Sequence, residues 1–268
     1  MSEVRFKFGS NWSRFLSVLD EPRIAEAEGS LRRLLARDRL DGLSFVDVGS
    51  GSGLFSLAAR RLGARVHSLD YDPQSVACTS ELRQRYFPDD PQWTVEQGSA
   101  LDAQYLRGLG QFDIVYSWGV LHHTGAMWEA VELVSGLVAP GGTYCVALYN
   151  DQGRLSRFWW WVKYIYNRLP RPMGLLMAAA YFVLLYGAIA VRDLMRGRPG
   201  HTWREYWRRR GMSPWHDVVD WVGGFPFEVA TPQQAERFLQ QRGFRLVRSF
   251  LVGSRQGCNE FVFERIGP

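Results

Sequence analysis

The chain has 268 residues, 46% hydrophobic and 14% aromatic, enough to pack one large domain or a core carrying an embedded subdomain. No apolar signal stretch follows Met1-Ser2-Glu3-Val4-Arg5, and the three cysteines (Cys78, Cys145, Cys258) show no C-x-x-C spacing; secretion, a disulfide framework and a zinc site are not expected, and a cytoplasmic protein is. The net charge of +5 is unevenly spread: residues 151–211 hold twelve Arg or Lys against three Asp or Glu, which leaves the remainder mildly acidic.

Residues 1–40 read as an N-terminal helical cap. Its start is aromatic and polar (Phe6, Phe8, Asn11, Trp12, Phe15), and Glu21-Pro22 opens a helix with proline in the first turn. A core is expected over residues 41–150. Ser44 to Val48 is a short apolar run that meets Gly49-Ser50-Gly51-Ser52-Gly53 and passes straight into a helical pattern of Leu54, Leu57, Ala58 and Leu62. Glycine turns sharply and lets a ligand touch the main chain, the geometry of a strand entering a nucleotide-binding loop at a helix N-terminus. The spacing is G-x-G-x-G, with Leu54 where the dinucleotide fingerprint would have its third glycine. Asp47 stands two residues before the loop. A second strand, Arg65 to Leu69, ends in Asp70, seventeen residues beyond Gly53, where an acid can hold both ribose hydroxyls of an adenosine. Pro73 opens the next helix after Tyr71-Asp72. A third strand-like piece, Trp93 to Glu96, leads into Gly98-Ser99-Ala100-Leu101-Asp102. A fourth, Phe112 to Trp118, leads into Gly119-Val120-Leu121-His122-His123. After the turn Ala139-Pro140-Gly141-Gly142, a fifth runs from Thr143 to Leu148.

Residues 151–224 then break the pattern. They hold seven of the eleven tryptophans and two helical pieces separated by Leu169-Pro170-Arg171-Pro172. The second piece, Met173 to Val191, runs nineteen residues without a charge, which makes it a formal membrane-span candidate. A span is not the expectation, because a single crossing would strand the last part of the sheet on the wrong side. A buried lid helix or a dimerisation helix is expected, with a monotopic membrane contact between flanking arginines as the less favoured alternative. Residues 225–268 complete the core. Thr231 caps a short helix with Pro232 at its first position, and strands Arg245 to Phe250 and Asn259 to Arg265 follow. The fold class is thus α/β: a Rossmann-like doubly wound sheet of seven strands, the last antiparallel, with a helical, Trp-rich insertion after strand five.

In this order the glycine loop, the Asp70 strand end, Gly98-Ser99, Val120-Leu121-His122-His123 and Pro140-Gly141-Gly142 resemble the class I S-adenosylmethionine-dependent methyltransferases of the small-molecule type. The resemblance covers residues 40–150 closely and 225–265 more loosely. It implies S-adenosylmethionine as cofactor. Gly49, Gly51 and Gly53 would lie against its methionine portion, Asp70 on its ribose, with Tyr71 beside it, and Ser99 and Ala100 along its adenine. Many relatives carry an acid where this chain has Ser99, and Asp102 is a further polar candidate there. Asp47 either orients the cofactor's amino group through water or serves as a strand-end acceptor. Asn11 and Trp12 would belong to a lid over the cofactor. Ser117, Trp118, His122 and His123 lie where the fourth strand would face the reacting methyl. A histidine there is a candidate general base, although the pair could equally be structural, one ring capping the following helix. Tyr149 and Asn150 are candidates for the acceptor pocket. No metal is expected, since only five histidines exist and no third ligand is suitably spaced.

The leading reading is a methyltransferase acting on a small organic molecule in a lidded aromatic pocket, its basic insertion suited to an anionic substrate. One alternative keeps the fold and the cofactor but closes the cofactor's own aminobutyrate chain to azetidine-2-carboxylate, releasing methylthioadenosine. Another is a non-enzymatic cofactor-binding or membrane-associated partner protein. A homodimer through the insertion is a further candidate, and nucleic acid is not expected as a partner.

Overall fold

The computed structural model describes residues 12, 15–202 and 214–267; Asn11, Phe6, Phe8, Trp203 and Trp207 lie outside them. The described residues divide into two compact units, one of residues 157–227 and one made of the chain on either side of it.

The larger unit is built on one seven-stranded sheet. In chain order its elements are α1 (Glu21–Leu35), β1 (Ser44–Val48), α2 (Leu54–Arg61), β2 (Arg65–Asp70), α3 (Pro73–Tyr86), β3 (Trp93–Gln97), α4 (Ala103–Leu109), β4 (Phe112–Trp118), a 3-10 turn (Leu121–His123), α5 (Met127–Ser135) and β5 (Val138–Tyr149). Beyond the helical unit come α9 (Pro232–Gln240), β6 (Phe244–Phe250) and β7 (Cys258–Arg265). The strand order is β3-β2-β1-β4-β5-β7-β6. β1 to β5 pair in parallel, and β7 runs antiparallel between β5 and β6.

Strand alternation sorts the side chains into two apolar layers. Phe45, Val66, Ile114 and Tyr116 face α1, α2 and α3 with Leu31, Leu57 and Leu82. Val46, Val48, Val115, Val146 and Phe263 face α4, α5 and α9 with Leu106, Val131 and Leu239. Helix starts are set by local capping. Asp20 and Asp72 accept N–H groups of Arg23 and Gln74, with prolines in the first turn of α1 and α3. Thr231 and Gln234 form a reciprocal capping box at α9. One expectation is corrected here. Pro140-Gly141-Gly142 is not a turn before the fifth strand but lies within β5, as an irregularity where the pairing jumps from Phe112↔Val138 to Ile114↔Thr143. Gly141, at φ +74, supplies the backbone conformation this bulge needs.

The smaller unit is helical: α6 (Arg154–Arg168), α7 (Arg171–Met195) and α8 (Pro214–Gly223). α6 and α7 form an antiparallel hairpin. Tyr166 lies against Gly174 at one end, and Trp159 meets Tyr181 edge-on at 5.1 Å further along. Trp159, Tyr166 and Tyr181 are therefore packed inside this unit with Trp221, Val218 and Val222 of α8. A fully buried Lys163 sits among them, its ammonium 4.2 Å from the Trp221 ring and 4.9 Å from that of Phe227, and it donates to the Trp221 carbonyl. The expectation of a buried apolar helix holds for one face of α7 only. Gly174, Ala178, Tyr186 and Asp193 are buried, whereas Leu176, Val183, Leu184 and Leu194 are exposed.

Candidate active site

The site is assembled at the carboxyl ends of β1, β2, β4 and β5, the edge where open α/β sheets bind ligands. The loop after β1 is fastened to β2, since the N–H groups of Gly49 and Ser50 donate to the Leu69 carbonyl at 2.8 and 3.1 Å. Gly49, Gly51 and Gly53 all have positive φ (+82, +56 and +79). Space as well as dihedral demands glycine. A Cβ at Gly49 would stand 2.4 Å from the Val120 side chain, and one at Gly53 would stand 2.9 Å from the Thr79 backbone. At Gly51 a Cβ would come within 3.1 Å of the Trp12 indole, so Trp12 lies directly against the loop.

Asp70 ties this loop to the end of β2. Its Oδ2 accepts the Gly51 N–H at 2.9 Å and its Oδ1 accepts the Asp72 N–H at 2.8 Å. Burial pushes the carboxyl up to about 6, opposed by those same N–H bonds, which favour the ionised form. Each carboxylate oxygen has acceptor capacity beyond one bond, so two vicinal hydroxyls can still be taken.

Asp47 is buried beside the loop, on the side of the sheet that carries Phe45. A buried hydrogen-bond chain ends on it: Trp93 Nε1–H donates to Ser68 Oγ, Ser68 to Ser56 Oγ, and Ser56 to Asp47 Oδ2 at 2.6 Å. Burial raises its carboxyl to about 7, with the Ser56 bond opposing and the negative charge of Asp70 adding. This polar chain across three strands and α2 was not foreseen from the sequence, because serine in a strand carries no periodic signal.

Along the β3 end, the Gly98 N–H donates to the Asp70 carbonyl, and a Cβ on Gly98 would overlap the Tyr105 ring. Ala100 is buried in the core, while Ser99 Oγ accepts the Leu101 N–H at 3.2 Å. Asp102 is accounted for as the N-cap of α4, accepting from Gln104 and Tyr105. Tyr71 follows β2 and is mostly exposed. Glu96 holds Tyr105 OH and His67 Nε2 together, a cluster the sequence reading missed.

The turn after β4 brings His122, His123 and Tyr149 into one aromatic cluster. Tyr149 lies 3.9 Å from the His122 ring and 5.3 Å from that of His123, centroid to centroid. His122 is fully buried and its Nδ1 accepts the Tyr149 N–H at 3.3 Å. His123 is only half-buried. The Met127 N–H at the start of α5 donates to both oxygens of Glu228, at 3.2 and 3.1 Å, from a segment 101 residues away. Burial raises the Glu228 carboxyl while this bond opposes it.

Ser117 is buried and donates to the Val48 carbonyl, joining β4 to β1 below the loop, and Trp118 at the strand end is exposed. Asn150 is used as a brace. Its amide donates to the Gly253 carbonyl at 2.7 Å and accepts from Asn259 at 2.9 Å, fixing the β6–β7 connection. Glycines 49, 51 and 53, Asp47, Asp70 and Trp12 are thus gathered at one place, and His122, His123 and Tyr149 at the neighbouring strand ends.

Residues 46–144 match the family model of a methyltransferase domain. Among curated proteins, the chain is 30% identical over 153 residues to the ubiquinone biosynthesis O-methyltransferase of Escherichia coli O157:H7, covering 55% of this chain and 61% of that protein. It is 29% identical over 143 residues to the ribosomal protein L11 methyltransferase of Xanthomonas campestris pv. campestris, covering 51% and 42%. The chain thus spans about three fifths or less of the curated relatives it matches. Among solved structures, magnesium protoporphyrin IX methyltransferase from Synechocystis PCC 6803 with bound SAH shares the fold, with a TM-score of 0.56 at 14% identity over 96% of this chain and 94% of that one. With the glycine loop, the strand order and Asp70 in place, residues 46–144 form a methyltransferase domain.

Proposed function

We propose that the chain is an enzyme that moves the methyl group of S-adenosylmethionine to a small organic acceptor. The observation that carries this reading is the Asp70 carboxylate bonded into a glycine loop of positive φ at the carboxyl edge of the sheet. The cradle fits the cofactor: three glycines at positive φ, two of them where a Cβ would collide, an acid with acceptor capacity for a ribose, and the Trp12 indole against the loop. When bound, S-adenosylmethionine supplies an electrophilic methyl on a sulfonium, open to in-line displacement. The chain's own work is then to bind, orient and exclude water.

Gly49, Gly51 and Gly53 bring backbone to the cofactor's methionine portion, and Asp70 accepts its ribose hydroxyls. Ala100 and Ser99 border the adenine through main chain, with Tyr71 beside it. Asp47 supplies negative charge behind the loop. Ser117 holds the β4 end in register with the loop rather than touching ligand. His123 is assigned the acceptor's proton, because His122 is wholly buried with Nδ1 engaged by the Tyr149 N–H. The relatives' O-methyltransferase names suggest an oxygen acceptor, which a histidine base suits. A covering role is proposed for the Trp-rich helices on chain order alone, since they leave the core directly after Tyr149 and Asn150.

The test is to incubate the purified protein with S-adenosylmethionine, alone and with a small-molecule cell extract, and to analyse by mass. S-adenosylhomocysteine formed only with extract supports methyl transfer. Methylthioadenosine formed without any acceptor would overturn it in favour of ring closure.

A further inference from the structure

The surface of α7 calls for an occupant. Its 25 residues have a mean hydropathy of 2.1 over their most apolar stretch, yet only 17% of that stretch is buried. The buried residues recur on one face, Gly174, Ala178, Tyr186 and Asp193, the first three packed against α6 and α8. The other face presents Leu176 at 70% exposure, Val183 at 66%, Leu184 at 75% and Leu194 at 67%. Large apolar patches of this kind on a protein surface mark contact sites.

Charge identifies the partner. Arg168 and Arg171 stand at one end of the α7 face and Arg192, Arg196 and Arg198 at the other, all exposed. The one acid in α6 and α7, Asp193, is buried and accepts the N–H and hydroxyl of Thr202, both at 2.8 Å. The apolar face is therefore bounded by positive charge at both ends and carries no exposed negative charge. On the adjoining helix α6, Phe158 and Trp161 are more than half exposed, and tryptophan is favoured at the boundary between lipid and water.

Two other occupants fit less well. A second copy pairing through α7 would set arginines against arginines in either relative direction. A bilayer crossing is excluded by topology. β7 pairs with β5 from Thr143↔Glu264 to Tyr149↔Cys258, so the chain before and after the helical unit lies on one side. Among the described residues α7 is the only helix long and apolar enough to cross, so none of them supplies a second crossing to bring the chain back.

We infer that α7 lies in the surface of an anionic phospholipid bilayer, its Leu176–Val183–Leu184–Leu194 face among the upper acyl chains and its flanking arginines on the headgroup phosphates. Amphipathic helices with an apolar face and arginines at its margin bind in this way, and binding scales with buried apolar area and with anionic lipid. The inference stands apart from the reaction proposed above.

Flotation of the full chain with two kinds of vesicle tests it: phosphatidylcholine alone, and phosphatidylcholine with about one third phosphatidylglycerol. The protein is expected to float with the anionic vesicles and to be released from them by salt. The double variant Leu176→Glu/Leu184→Glu is expected to bind at least about tenfold more weakly. Arg196→Gln and Arg198→Gln should each cost about fivefold. These positions are exposed, so circular dichroism of each variant should match the parent and separates lost binding from lost fold. Three results would overturn the inference: no flotation with anionic vesicles; flotation that is indifferent to lipid charge and to the arginine changes; or a dimer by light scattering that Leu176→Glu/Leu184→Glu splits while neither form binds vesicles.

Discussion

Asp70→Asn removes one negative charge from the cofactor cradle while keeping the shape of the side chain. In the structure the carboxylate takes the Gly51 N–H on Oδ2 and the Asp72 N–H on Oδ1, two of its roughly four acceptor positions. The asparagine amide keeps one oxygen, and its NH2 must face either the loop N–H or a ribose hydroxyl. Hydrogen bonds to a charged acceptor contribute about 1.5–3 kcal/mol against about 0.5–1.5 for neutral ones, so two hydroxyls lose roughly 2–3 kcal/mol together. The dissociation constant of S-adenosylhomocysteine should rise about 30- to 150-fold, at about 1.4 kcal/mol per decade. The loop itself should lose about 1–3 kcal/mol where N–H faces NH2, visible as a lower unfolding temperature without ligand. Isothermal titration calorimetry measures the first effect and thermal unfolding the second. An affinity within threefold of the parent, in a folded variant, would refute the assignment of Asp70 to the ribose.

The same titration carries a proton signature. Asp70 is raised to about 6 and Asp47 to about 7, each first by burial. Hydroxyl donors and a cationic cofactor favour the ionised carboxylates, so binding must expel whatever protons those groups hold. The sign follows. Affinity for S-adenosylmethionine is greatest above about pH 8, where both groups are already ionised, and falls as pH drops through 7 and then 6. Below both values it tends towards tenfold per pH unit for each group. At pH 7 the heat of binding should vary with buffer ionisation enthalpy, and in Asp70→Asn only the part due to Asp47 should persist. Affinity flat between pH 5 and 8 would show that neither acid senses the cofactor.

Asp47→Asn should stabilise the protein without ligand at alkaline pH. A carboxyl at about 7 in the fold and near 4 when unfolded costs stability progressively as pH rises between those values, on the order of 3–4 kcal/mol in all. Urea unfolding of the variant should therefore diverge upward from the parent above pH 5 and meet it near pH 4; parallel curves would refute the buried titration. His123→Ala should lower kcat by about 100- to 10,000-fold with little change in unfolding, whereas His122→Ala should cost about 2–4 kcal/mol of stability by emptying a buried site. An unchanged kcat for His123→Ala would remove it as the base. Glu228→Ala should cost about 1–2 kcal/mol through the lost cap of α5, and Glu228→Gln less, as read by thermal unfolding. Equal losses in both would mean that charge rather than hydrogen bonding holds the helix start.

What was legible in the sequence was what local chemistry dictates. Each glycine of the loop sits at a φ that side-chain-bearing residues avoid, so the G-x-G-x-G spacing is itself a record of backbone geometry. The cap at Thr231 is a contact within three residues and could be read directly, as could Pro73 at the start of α3. Asp70 was readable because a strand end after a glycine loop has one neighbour worth reaching. Contacts closed over long chain distances left no such trace. Glu228 caps a helix 101 residues before it, Asn150 braces a connection more than a hundred residues later, and the Trp93–Ser68–Ser56–Asp47 chain passes between elements that share no periodic pattern.

The apolar helix fails for a different reason. Composition reports that Met173 to Val191 avoids water and is silent on what replaces it, so a core helix and a lipid-facing helix share one signature. Burial was the favoured expectation because a soluble sheet has to close after this segment, and β5–β7 pairing does close it. That pairing excludes a crossing but places no demand on the outer face of the helix. The packed face is met by Trp159 and Tyr166 of α6 and by Val218 and Val222 of α8, all contributed by the same helical unit. Once those neighbours have used one side, Leu176 and Leu184 stay exposed among the described residues. The arginines at both ends then select a negatively charged surface over a second copy of the chain.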